Sequence, residues 1–148
     1  MQAQMLAPAA LLIAWSLIIL FMLPAARLPA LKKLGVDLNN TPRGARGGDR
    51  EDEMPDRPKW ISHNYTHLME QPTIFYPAVI IIAMMGAAAG DVLAAWIYVG
   101  LRILHSIWQV FVNVVRVRFL LFLGASFALI YLAYRAVALT LFADPGAL

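Results

Sequence analysis

The chain has 148 residues, 61% of them hydrophobic and 14% charged, with a formal net charge of +3 and no cysteine. So low a charged fraction, against about 25% in soluble domains, excludes an ordinary soluble protein. The missing cysteines exclude disulfides and a protein thiolate nucleophile, so any thiol chemistry has to come from a ligand.

The first apolar stretch, Leu6 to Leu28, has about the 20 residues that a helix needs to cross a bilayer core, and a spanning helix is expected over about 6–28. A cleaved signal peptide is the competing reading, because "LPAA" at 23–26 suits cleavage. The leading "MQAQMLAP" has no basic side chain, however, and the apolar run exceeds the roughly 7 to 15 residues of a signal. A connection of about 32–60 follows, rich in glycine, proline and mixed charge. Such a composition buries too little apolar area to order itself, so a mobile cytoplasmic loop is expected, either a solvated connector or a lid.

The next apolar stretch, Ile74 to Ala89, is too short to span alone. It becomes long enough if its helix starts upstream, within "NYTHLMEQP", giving a second helix over about 64–89. Third and fourth helices are expected over about 93–115 and 119–142. The connections between these three are short, which forces antiparallel neighbours. The expected fold is an all-α integral membrane protein, an up-down four-helix transmembrane bundle forming a single domain.

Basic residues set the orientation. Arg27, Lys32, Lys33, Arg43, Arg46, Arg50, Arg57 and Lys59 fall between the first and second helices, and Arg116 and Arg118 between the third and fourth. The positive-inside rule then puts both connections in the cytoplasm and both termini outside. The excess positive charge is thus topological. No basic-aromatic pattern accompanies it, so nucleic acid is not an expected partner.

On a wheel of 100° per residue, Asp91, Tyr98, Arg102, His105, Ser106, Gln109, Asn113 and Arg116 share a strip about 100° wide. Charge in lipid costs several kcal/mol or so without a partner, so this strip has to face protein or a wet cavity. The same wheel gathers His63, His67 and Glu70 on the second helix, flanked by Asn64 and Gln71. Glu70 is expected to meet Arg102 or Arg116. Arg135, near the outer end of the fourth helix, can snorkel and has no site role.

Three readings of these residues stand side by side. Polar groups between membrane helices commonly serve as packing glue. His63, His67 and Glu70, with His105, have a spacing compatible with a metal, but nearby arginines would repel a cation. An anionic ligand entering from the cytoplasm suits guanidinium groups and amides best, and the hydrophobic walls beside it suit a lipophilic second substrate.

Two segments, "HLMEQPTIFYPAVI" and "YVGLRILHSIWQVFVNVVRVRF", carry a resemblance to a known family. From about Trp60 to Ala136 the chain resembles the MAPEG proteins, membrane-associated proteins of eicosanoid and glutathione metabolism, and looks like one of their bacterial branches. The resemblance implies a homotrimer of four-helix subunits in a bacterial inner membrane, with glutathione as co-substrate between subunits near the cytoplasmic side and no metal. By position Glu70, His67 and Arg102 match the family's glutathione-binding residues, and Arg116 matches the arginine that stabilises the thiolate. His105, Gln109, Asn113, Gln71 and His63 would complete the binding set. The chain departs from the better-studied members at His63, where they often have arginine, and at His105 and Gln109, where they often have tyrosine. They often have tyrosine or asparagine at Gln71. The implied function is a membrane glutathione (or similar thiol) S-transferase or peroxidase acting on a lipophilic substrate. The alternative is a non-catalytic lipid-binding member, or a structural subunit of a membrane complex, with the same fold.

Overall fold

In lipid a backbone has no water to bond to, so a spanning segment has to satisfy its own polar groups, and a helix does so locally. The computed structural model describes residues 1–46 and 48–142, and within them all regular structure is helical. Helix α1 runs Gln2–Lys33, α2 Asp56–Leu68, α3 Pro72–Met85, α4 Ala89–Phe111 and α5 Val115–Leu141. Taken together, α2 and α3 form one span, Asp56–Met85, so the described residues hold four helices long and apolar enough to cross a membrane.

Helix α1 outruns its apolar stretch at both ends and closes on Lys32 and Lys33, whose charge suits the negative end of the helix dipole. Between Lys33 and Asp56 lie two short 3-10 turns, Leu38–Asn40 and Glu51–Glu53. The second span starts at Asp56 rather than within "NYTHLMEQP". Pro58 is tolerated in a first helical turn, where its missing N–H has no partner to lose, and Asp56 favours the positive end of the dipole.

Chain reversal between α3 and α4 uses Gly86 at φ 107°, a conformation that a side chain rarely allows. Between α4 and α5 the helix stops at Phe111, and the N–H groups of Val112 and Asn113 both donate to the Trp108 carbonyl, at 2.9 and 2.8 Å. Asn113 takes φ 57°, a left-handed conformation that asparagine adopts more readily than most residues. The helical strip expected to continue through Asn113 to Arg116 therefore ends at Phe111. Asn113 lies in the turn, and Arg116 begins α5.

The four spans alternate in direction. Contact is most extensive between α4 and α5, while α1 packs on α2, α3 and α4, and α3 on α5. The apolar core includes Met5, Leu12, Ile19, Phe75, Val79, Ile82, Val99 and Leu132. Phe75 stacks on Tyr98 with ring centroids 4.3 Å apart. Large apolar side chains such as Phe21, Met84, Leu93, Phe127 and Ile130 point outward, the surface that a bilayer requires. At Gly124 an added Cβ would sit 3.2 Å from Leu101 Cδ1, so α4 and α5 approach closely there.

Two polar nodes fix the bundle. Near the α3–α4 turn, buried Asp91 accepts from the Ala88 N–H, from Tyr131 Oη and from two nitrogens of Arg135, at 2.8 to 3.1 Å. Arg135 thus pairs with α4 instead of snorkelling. Deeper, buried Ser106 Oγ accepts from Trp15 Nε1 at 2.9 Å and from Asn64 Nδ2 at 2.8 Å, joining α1 and α2 to α4.

Ser106→Ala leaves both of those donors without their acceptor. Each loss costs about 1–3 kcal/mol in water-soluble cores and nearer 0.6 kcal/mol on average between membrane helices, so a total of roughly 1–2 kcal/mol is expected. Thermal unfolding in detergent reads it as a lower Tm. Thr140→Ala is the control, because that hydroxyl donates to the Ala136 and Val137 carbonyls of its own helix, and it should change Tm little.

Candidate functional site

The site begins where the second span breaks. Pro72 has no N–H to donate to Leu68, and its ring crowds that carbonyl, so α2 cannot run on into α3. Met69 closes α2 with its N–H on the Thr66 carbonyl at 2.9 Å, and Thr73 restarts the ladder on the Glu70 carbonyl at 3.2 Å. The interruption leaves the last turn of α2 with a carbonyl open to another helix. Arg102 of α4 takes it: Nη2 donates to the His67 carbonyl at 2.6 Å, and Nη1 lies 3.2 Å from His67 Nε2. The other ring nitrogen of His67, Nδ1, lies 2.8 Å from Glu70 Oε2.

Arg102 is 1% exposed, whereas the Glu70 side chain is 61% exposed. One end of the chain Arg102–His67–Glu70 is therefore sealed in the bundle, and the other is open. Glu70 meets His67 and not an arginine. His105, one turn beyond Arg102 on the same face and itself buried, places its ring 4.7 Å from that of His67. Phe122 of α5 also packs on His67, with ring centroids 5.5 Å apart.

The remaining expected residues divide. Gln71 Nε2 donates to Ser126 Oγ of α5 at 2.8 Å, while its Oε1 is buried without a hydrogen-bond partner. Gln109 is buried, and its Oε1 also has none. Asn113 accepts from Arg118 through Oδ1. Arg116 is exposed, and the ion pairs found among the described residues do not include it. His63 turns to Glu51 of the first connection, with Nε2 3.7 Å from Oε2. Nearby, a hydrogen bond from Arg50 holds the Glu53 carboxyl below its ordinary range. Among the described residues no group of three His, Asp or Glu side chains is arranged to hold a metal.

Sequence reasoning missed the contribution of α5. Arg118, Phe122 and Ser126 stand four residues apart, hence on one face, and each touches a residue of the cluster or its rim: Asn113, His67 and Gln71. An arginine, an aromatic and a serine at this spacing along the first half of α5 was the available signal.

The MAPEG family model matches residues 5–138 of the chain. No curated protein and no solved structure matches it.

The turn that carries Asn113 gives a direct check on this geometry. Asn113→Gly keeps the backbone conformation at the loss of the Arg118 contact, whereas Asn113→Val forces a β-branched residue to φ 57° at a cost of about 1–2 kcal/mol. Thermal unfolding should rank them wild type, then Gly, then Val.

Proposed function

Because the chain belongs to the MAPEG family, we propose that it binds glutathione or a similar thiol at the broken end of its second span and transfers the thiol to a lipophilic electrophile. The observation that carries this reading is the asymmetry of the Arg102–His67–Glu70 chain, which is buried at the guanidinium and open at the carboxylate. An exposed carboxylate held in place by the half-buried His67, itself fixed by buried Arg102, suits the ammonium group of a small peptide.

Anion binding has its own support. Arg116 and Arg118 lie in the first turn of α5, where the helix dipole is positive and cations are unfavourable. An anion resting there relieves that repulsion. Arg116, exposed and outside the ion pairs described above, is the candidate for the thiolate: a free thiol has a pKa near 8.5, and an adjacent guanidinium lowers it. The ionised sulfur attacks an electrophilic carbon, the new C–S bond forms, and the leaving group departs with the electron pair of the broken bond. The thiol proton passes to solvent.

The ligand-facing set in this reading is narrower than the sequence alone implies. Glu70, His63, Asn113 and Arg116 have exposed or partly exposed side chains; Arg102, His105 and Gln109 are sealed within one subunit and shape the wall. In a homotrimer, as the family resemblance implies, the exposed residues would meet a neighbouring subunit and form a cleft open to the cytoplasm. The apolar outer faces of the helices give a lipophilic substrate access from the bilayer.

Conjugation of glutathione to a generic chloronitroaromatic, followed by chloride release, tests the reading. Arg116→Ala is expected to lower kcat/KM by roughly 10²-fold or more, the scale of losing one charge-stabilising group. Turnover that is unchanged in Arg116→Ala rejects the thiolate role. Glutathione binding without any turnover points instead to a non-catalytic member.

A further inference from the structure

A guanidinium has only donors, so any nitrogen it hydrogen-bonds has to accept. Arg102 Nη1 lies 3.2 Å from His67 Nε2, which makes Nε2 the bare, accepting nitrogen of the ring. The proton of a neutral imidazole then sits on Nδ1, where Glu70 Oε2 receives it at 2.8 Å. The same guanidinium holds the His67 carbonyl through Nη2 at 2.6 Å. Two contacts from one planar group therefore fix both the backbone and the ring of a single residue.

We infer that Arg102 is a positioning residue: by capping the broken end of α2 and locking His67 in its Nδ1–H tautomer, it aims the Glu70 carboxylate outward at the ligand. Its burial, 1% exposed, keeps it off any ligand bound at the open side. Doubly protonated His67 is disfavoured because Nε2 would then turn a proton toward Arg102. The charged and titratable groups around the ring are Arg102 and His105 from α4, Glu70 from the break and Arg118 from α5. With Nε2 engaged by Arg102 and Nδ1 by Glu70, His67 is not a free base, and its task is transmission. The effect on ligand binding rests on the thiol reading above, whereas the tautomer does not.

A primary amide carries an acceptor and a donor side by side, as the Nδ1–H tautomer does, so glutamine can stand in for His67 and leucine cannot. A lysine at position 102 keeps the charge but has no fork to reach carbonyl and ring together.

The experiment is nitrogen NMR of the full-length protein in nanodiscs with 15N-labelled histidine, the His67 signal assigned by its loss in His67→Gln. In the wild type at neutral pH the ring should show a protonated Nδ1 and a bare Nε2, and in Arg102→Lys the Nε2-protonated or doubly protonated form should appear. Glutathione titration should give His67→Gln within about threefold of wild type, and His67→Leu and Arg102→Lys weaker by about tenfold, the scale of one charge-assisted hydrogen bond. A wild-type ring protonated on Nε2 overturns the inference, as does a tautomer unmoved in Arg102→Lys. Equal loss of affinity in His67→Gln and His67→Leu overturns it too. A wild type that binds no glutathione yet shows the Arg102-dependent tautomer rejects the thiol reading and supports the positioning role.

Discussion

A guanidinium sealed between apolar helices is the constraint on which the rest of the bundle turns. Arg102 is the largest of the fully buried side chains, and in a hydrocarbon setting it persists only where acceptors are fixed in advance. The acceptors come from a defect. Pro72 interrupts the second span, the interruption opens a carbonyl at His67, and the carbonyl meets the arginine. A proline and an arginine that would each be unfavourable alone in a spanning helix thus compensate one another across α2 and α4. His67 and Glu70 are drawn into place by the same arrangement.

Polar residues divide by depth along α4. Asp91, near the α3–α4 turn, is satisfied on every side by the backbone and by α5. Ser106 ties three helices together. Between them, Arg102 and His105 meet His67 at the break in the second span, and buried oxygens of Gln71 and Gln109 have no partner. The polar strip is therefore both glue and wall. Its ends hold the bundle, and its middle borders the proposed site.

Much of this was legible in the sequence because helical period and burial are tied in a membrane. The residues sharing one face with Arg102, from Asp91 to Gln109, are buried ones. The wheel failed beyond Phe111 because a periodic projection has no signal for a left-handed residue: Asn113 at φ 57° turns the chain, and Arg116 passes to another helix. The partner of Glu70 was misjudged for a related reason. Charge alone favours an arginine, but the break at Met69–Gln71 lowers the carboxylate onto His67 and lets the arginine reach the backbone. The α5 wall escaped notice because Phe122 and Ser126 look, singly, like ordinary lipid-facing and helix-tolerated residues.

The central claim is that the open carboxylate and the arginines at the start of α5 hold a thiol in its ionised form. The most direct measurement is the ultraviolet absorption of the glutathione thiolate, recorded as a difference spectrum while glutathione is titrated into the purified protein at neutral pH without any electrophile. A saturable thiolate band that disappears in Arg116→Ala is the expected result. Saturable glutathione binding with no thiolate band, or no binding at all, would contradict it.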